Sequence, residues 1–249
     1  MSTGRFRRSA GRARTPEVGT ACGALVVPPR GLTPSGLILV DKPAGPSSFA
    51  IVSQIRGRTG ARTGHAGTLD PFATGLLVVL SGKTTKLAQC FVGLDKRYVT
   101  EVDLTAQTAT GDREGEIVAA HAPPEREELE ERLARLRGEI ELPIPAASAV
   151  KIGGERAYRL ARRGVAVDMP LRRSRVDALE VISYTDGVVT LDLRVSSGTY
   201  VRAIADALGG HCRTLRRTEV GPFRVEDADP ECVIPEQEAL AALERVRPR

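Results

Sequence analysis

Several absences narrow the field before any motif is considered. No apolar run of roughly 18 residues occurs, so no transmembrane helix is expected, and the arginine-bearing N-terminus lacks the apolar core of a signal peptide. A cytoplasmic protein is the expectation. The four cysteines, Cys22, Cys90, Cys212 and Cys232, form no CxxC pair, and His65, His121 and His211 fall at no ligand spacing. Neither a disulfide framework nor a zinc site is indicated, and isolated thiols suit a reducing compartment. Ser81-Gly82-Lys83-Thr84 carries the last residues of a Walker pattern, but Leu77 stands where that pattern requires glycine. Nucleoside triphosphate binding is therefore excluded, and no cofactor motif remains.

What is present suits a globular protein: 41% apolar and 27% charged residues, enough for a sizeable core in one large domain or two small ones. The net charge of +5 resides in residues 1–30, where six arginines (Arg5, Arg7, Arg8, Arg12, Arg14 and Arg30) face the single acid Glu17. Rich in Gly, Ala and Pro and without periodicity, this stretch is expected to be a disordered basic arm. Residues 31–249 are neutral in sum, yet their charge is segregated. Residues 151–175 hold eight basic side chains against Glu155 and Asp168, while residues 225–249 hold seven acids against three arginines. Such a basic centre suits neutralisation of phosphates, or it is a solvated face with no partner.

Short strands and helices share the chain. Leu37 to Val40 reads as an apolar strand ending in the turn Asp41-Lys42-Pro43-Ala44-Gly45-Pro46, and Ser47 or Ser48 caps a helix from Phe49 to about Gly57 that buries Ile51, Val52 and Ile55. Leu76 to Leu80 reads as a buried strand, followed by a helix capped by Thr84 or Thr85 with Leu87, Cys90 and Phe91 inward. Lys96 to Thr105 alternates, with Tyr98, Thr100, Val102 and Leu104 on the buried face. Glu125 to Arg137 is an amphipathic helix with Leu129, Leu133 and Leu136 inward, and Glu155 to Arg163 a helix exposing Arg159, Arg162 and Arg163. Thr185-Asp186-Gly187 is a hairpin turn between strands at 178–184 and 188–195. Thr199 to Leu208 is a helix burying Val201, Ile204, Ala205 and Leu208, and Pro235 opens a last helix to about Val246.

The densest information lies in Gly64-His65-Ala66-Gly67-Thr68-Leu69-Asp70-Pro71-Phe72-Ala73-Thr74-Gly75. Its glycines allow a ligand to approach the backbone, and Pro71 holds Asp70 extended, presenting the carboxylate ahead of the buried strand. An ordinary Gly/Asp/Pro turn is the plainer alternative. The segment matches GHxGTLDPxATG at every fixed position, and on it the chain resembles the TruB family of bacterial tRNA pseudouridine synthases, which isomerise uridine-55 of the tRNA T loop. The resemblance extends outward in order: Asp41-Lys42-Pro43-Ala44-Gly45 resembles DKPxG, Lys96-Arg97-Tyr98 resembles KxY, and Ser148-Ala149-Val150-Lys151 with Gly154 and Tyr158 resembles SAxKxxGxxxY. Ser197-Gly198-Thr199-Tyr200-Val201-Arg202 resembles SGTYVR, and Gly221-Pro222-Phe223 the closing GxF. Two places depart from the family: Ser47-Ser48-Phe49 replaces Thr-Ser-His, a change expected to affect packing, and Thr105 to Asp112 keeps the threonines of LGxxTxTxDxxG without its first glycine.

This resemblance implies an α+β pseudouridine synthase fold, with a bent, mainly antiparallel central sheet flanked by helices and the active site in a central cleft. Residues 31–225 would form the catalytic domain, and residues 226–249 a short C-terminal helix, too few for a complete PUA domain. Asp70 would be the nucleophile, attacking C1′ of the ribose or C6 of the uracil. Arg202, on an apolar helix face where an unpaired guanidinium is costly, would pair with Asp70 and hold it ionised and aimed. Tyr98 would stack on the flipped-out base and assist loss of the C5 proton, His65 would fill the vacated stack, and Tyr200 and Lys42 would complete the pocket. The implied partner is tRNA through its T-stem-loop, bound by a monomer with no metal, cofactor or membrane. Two other readings stay open: a pseudouridine synthase of different specificity, such as the guide-RNA-dependent Cbf5/dyskerin group, or an RNA-binding or RNA-folding protein on the same scaffold. Intact Asp70, Tyr98 and Arg202 speak against the latter.

Overall fold

The computed structural model describes residues 35–163 and 168–246, so the basic arm expected over residues 1–30 lies outside the described residues. Its strands are β1 (Gly36–Lys42), β2 (Thr63–His65), β3 (Thr74–Ser81), β4 (Lys96–Asp103), β5 (Ala106–Thr108), β6 (Ile117–Ala120), β7 (Gly138–Pro143), β8 (Lys151–Ile152), β9 (Glu155–Arg156), β10 (Leu171–Thr185), β11 (Val188–Val195), β12 (His211–Val220), β13 (Phe223–Arg224) and β14 (Asp229–Pro235). The helices are α1 (Ser48–Thr59), α2 (Ala88–Val92), α3 (Arg126–Ala134), α4 (Ala157–Arg162), α5 (Val201–Ala207) and α6 (Glu236–Val246). Among the described residues no helix is long and apolar enough to cross a membrane.

One large sheet runs in the order β14-β1-β3-β12-β4-β11-β10-β7, with β2 added to β3 and β13 to β12. All its pairings are antiparallel except β3 with β12, which meet in parallel at Arg216↔Thr74 and Arg217↔Gly75. The fold is thus the expected α+β arrangement around a mainly antiparallel sheet.

The unbroken apolar runs of β1 and β3 follow from burial on both faces. Ile38, Val40, Leu77 and Val79 join a core beneath α1, α3 and α5, whereas Leu37, Leu39, Leu76, Val78 and Leu80 join a second core with Phe91, Phe223 and the α6 residues Ala239 and Leu243. β4 has one buried face, and its residues alternate accordingly from Lys96 onward. The β10–β11 hairpin turns at Asp186 (φ 52°) and Gly187 (φ 76°), two left-handed residues whose twist matches that of the flanking strands. α1 opens as expected, with the Ser47 hydroxyl accepting the Ala50 N–H at 3.1 Å.

Several expectations need correction. The stretch after β3 forms a 3-10 turn, Gly82–Leu87, before α2, and Cys90 is exposed rather than inward. Thr84 does not cap: its buried hydroxyl donates to Glu236 at the start of α6 (2.7 Å). Glu155 and Arg156 are not helical, because they pair with Lys151 and Ile152 around Gly153-Gly154. Arg159 and Arg163 are exposed, and the side chain of Arg162 lies outside the described residues. Phe49 is also exposed, so the departure from Thr-Ser-His at this position leaves the core unchanged. Cys90 and Cys212 are free, but Cys232 is disulfide-bonded, so the four cysteines are not all isolated thiols.

Beyond Phe223 the chain adds more than a helix. β14 lies on the edge of the sheet beside β1, with Pro230 and Pro235 where an edge strand tolerates a missing N–H.

Gly75 couples this scaffold to the loop before it. It holds φ at 101°, and a methyl group there would meet the Arg217 carbonyl at 2.2 Å. Gly75→Ala is therefore expected to lower stability by at least about 2 kcal/mol in urea unfolding; an unchanged midpoint would contradict this close approach.

Candidate active site

The Asp70 loop joins β2 to β3, and the end of β1, the turn after it and the first residue of α1 clamp it on both sides of the carboxylate. On one side the buried Ser48 hydroxyl accepts the Leu69 N–H (2.8 Å) and donates to the Leu69 carbonyl (2.9 Å). On the other, the Gly45 N–H donates to the Pro71 carbonyl at 2.8 Å. Lys42 completes this clamp: its fully buried ammonium donates to the carbonyls of Pro43 (2.8 Å), Pro46 (3.0 Å) and Pro71 (3.2 Å). Burial lowers its pKa, opposed by the nearby Asp70. Lys42 thus stands behind the loop and does not line the cavity in front of it.

That cavity, of about 440 Å³, is lined by the Asp70 loop, by Lys96 and Tyr98 of β4, by residues 147–149, by residues 197–202 and by Leu215 and Arg217 of β12. Arg202 lies in the first turn of α5 and is 3% exposed. Its Nε and Nη2 donate to the two Asp70 oxygens at 3.0 and 3.2 Å, a two-pronged grip that fixes the carboxylate in angle as well as position. Nη1 donates to the Thr110 carbonyl (2.7 Å) and Nη2 also to that of Ala147 (3.0 Å). Asp70 itself is 33% exposed, towards the cavity.

A second carboxylate, Asp112, approaches Arg202 Nη1 at 3.5 Å. The threonines that precede it hold its turn: Thr110 Oγ1 donates to Asp112 Oδ1 (2.6 Å) and Thr108 Oγ1 to the Asp112 carbonyl (2.7 Å). In the sequence Asp112 stood only at the end of the segment resembling LGxxTxTxDxxG, with no role at the site.

Tyr98, Tyr200 and Arg202 meet Asp70 at the cavity, as expected. His65, at the end of β2, is half-buried and does not line it. Burial, and then the Arg217 guanidinium, lower its pKa and so favour the neutral ring. Among the cavity residues not expected at the site are two buried cations, Arg217 and Lys96. Arg217, 1% exposed, donates Nε to the Leu76 carbonyl (2.8 Å) and Nη2 to that of Gly67 (3.2 Å). Lys96 donates to the carbonyls of Val92 (2.6 Å) and Leu94 and to the Ser197 hydroxyl (3.4 Å), so it pins the turn before β4 to the Ser197-Gly198 loop. Lys96 shares the parity of Tyr98, and a lysine on a buried strand face was the available signal. Arg217 gave none, since β12 was not read as a strand.

A carboxylate gripped by a buried guanidinium, facing a cleft large enough for a nucleobase and floored by a mainly antiparallel sheet, defines a pseudouridine synthase architecture. The fold agrees: a solved Cbf5-Nop10-Gar1 complex contains a chain 28% identical, superposing with a TM-score of 0.59 over 79% of this chain and 55% of its own length. A second, from an H/ACA RNP bound to a substrate RNA containing 2′-deoxyuridine, is 26% identical with a TM-score of 0.56 over 76% and 48%. The chain thus spans about half the length of these solved proteins. The family model for TruB family pseudouridylate synthase (N terminal domain) matches residues 56–201. Proteins named tRNA pseudouridine synthase B from Mycobacterium sp. (strain KMS) and Leifsonia xyli subsp. xyli are 44% and 42% identical, over 78% and 87% of this chain and 70% and 80% of theirs. The chain belongs to the TruB family of pseudouridylate synthases.

Burial, reinforced by Arg217, lowers the Lys96 pKa to about 8. The ammonium with its three donors is present below about pH 8 and lost above it, so the anchor on Ser197 is intact on the acid side and weakens as pH rises. Turnover is expected to fall through about pH 8 in the wild type and to hold to higher pH in Lys96→Arg, whose charge persists. Coincident pH–rate profiles would contradict the role given to Lys96.

Proposed function

We propose that this protein isomerises uridine to pseudouridine at position 55 in the T loop of tRNA, with Asp70 as the nucleophile. The observation that carries the reading is the two-pronged Asp70–Arg202 pair, whose carboxylate is open to the cavity while its guanidinium is sealed beneath it. Family membership and relatives named for tRNA modification support the substrate class.

The reaction breaks the N1–C1′ bond and rejoins the same base through C5; C5 gives up its proton to solvent and N1 takes one up, so atoms balance. Asp70 adds to C1′, displacing the base, or to C6, giving an adduct that migrates. In either route the carboxylate leaves unchanged. A uridine in a folded loop must first be flipped out, at a cost of a few kcal/mol. The cavity offers the everted base the Tyr98 ring and the Tyr200 side chain, and Tyr98 is the group assigned to departure of the C5 proton. His65, neutral and beside the Asp70 loop, is the group assigned to the vacated stack in the RNA, where base–aromatic stacking is worth roughly 1–3 kcal/mol. Exposed Lys151, Arg156, Arg159 and Arg172 supply positive charge near the cleft for the T-stem phosphates.

The test is release of tritium from C5-labelled uridine in an unmodified T-stem-loop, with no other protein or guide RNA added. Stoichiometric release is expected from the wild type and none from RNA bearing cytidine at the target. Asp70→Asn, which keeps the size and one of the two acceptors that Arg202 holds but removes the charge, is expected to bind the RNA and release no tritium. Turnover near wild type in this variant would remove Asp70 as nucleophile.

A further inference from the structure

Residues 147–149 form one wall of the cavity, and the carbonyls of residues 147–150 are all engaged. The carbonyl of Ala147 accepts from Arg202 Nη2 (3.0 Å), that of Ser148 from the Tyr158 N–H (3.1 Å), that of Ala149 from Arg156 Nη1 (2.6 Å) and that of Val150 from the Ala157 N–H (2.7 Å). The Ser148 side chain is the exception. It is 5% exposed and lines the cavity, and its hydroxyl has no hydrogen-bond partner among the described residues. A buried polar group left unsatisfied destabilises a protein by roughly 1–3 kcal/mol, and native structures satisfy nearly all such groups. The wall is anchored through Ala147 to the same guanidinium that grips Asp70, which places the Ser148 hydroxyl one residue from that grip at a fixed angle.

We propose that Ser148 Oγ hydrogen-bonds the Watson–Crick edge of the everted uracil, so that its missing partner in the free protein is the substrate base. This rests on the reading that the cavity receives a flipped nucleotide. Enzymes that evert a base read its polar edge by hydrogen bonds from the pocket wall. A hydroxyl can donate to a carbonyl oxygen of the ring or accept from N3–H, so Ser148 contributes affinity and orientation rather than a choice between uracil and cytosine. It acts as a positioning residue.

A structural serine and a base-contacting serine respond differently to removal of the hydroxyl. In an Asp70→Asn background, which leaves the RNA intact, affinities with and without Ser148→Ala are compared for two T-stem-loops, one with uridine at the target and one abasic there. Ser148→Ala is expected to weaken the uridine RNA roughly tenfold while leaving the abasic RNA unchanged. The thermal midpoint of the free protein should hold or rise, because an unsatisfied buried group has been removed. Ser148→Thr, which keeps the hydroxyl, should recover most of the uridine-specific affinity. Equal affinities for the uridine RNA, or equal weakening of both RNAs with a lower midpoint, would overturn the proposal. Should the wild type bind but fail to release tritium, the proposed reaction falls, and the uridine-against-abasic difference still judges Ser148.

Discussion

Everything at the site is referred to the Arg202 guanidinium. It is buried in the first turn of α5, where an unpaired positive charge would destabilise the fold by several kcal/mol. Four residues from three separately coded segments relieve that cost: Asp70 from the β2–β3 loop, Thr110 and Asp112 from the turn after β5, and Ala147 from the segment after β7. The same bonds that make the arginine tolerable assemble the cleft, so folding of the core and formation of the site are one requirement. With two carboxylates around one guanidinium, only the one facing the cavity is free to act on a ligand.

The Asp70 loop is held with comparable strictness from behind. Ser48 fixes residue 69, and Gly45 with Lys42 fixes residue 71, so Asp70, the proposed nucleophile, is the residue between two clamps. In front, Lys96 ties the turn before β4 to the loop that delivers Tyr200 and Arg202. Three buried cations, Lys42, Lys96 and Arg217, are satisfied by carbonyls and one hydroxyl rather than by carboxylates. This keeps the neighbourhood of Asp70 positive without a second anion to compete for Arg202 on that side. Positive surroundings suit a reaction in which negative charge develops on a departing base.

Much of this was legible in the sequence. Pro71 and the glycines marked the Asp70 loop and an arginine on an apolar helix stripe called for a carboxylate, but the resemblance to the TruB family was what singled out Asp70 and paired it with Arg202. Strand parity put Tyr98 on the buried face, and the family resemblance alone gave it a place at the site. Lys42 was legible as close to the site, but sequence does not tell a lysine that faces a ligand from one that faces three carbonyls behind the loop. Asp112 was hidden because its partner is 90 residues away and a Gly-Asp-Arg-Glu-Gly turn is sufficient local explanation. β12 was hidden because bulges between Cys212 and Thr214 and between Arg217 and Glu219 break the alternation that would have revealed it, and Arg217 went with it. The part that could be read depends on local chain geometry, and the part that could not depends on contacts between distant segments.

The most direct test of the central interaction is single-turnover isomerisation of an unmodified T-stem-loop by Arg202→Lys at saturating protein. Lysine keeps the positive charge and gives up the fork, so it separates aiming of Asp70 from mere neutralisation. If the two-pronged grip sets the angle of attack, the rate constant falls at least about a hundredfold while RNA affinity is retained. A rate within a fewfold of wild type would contradict the account.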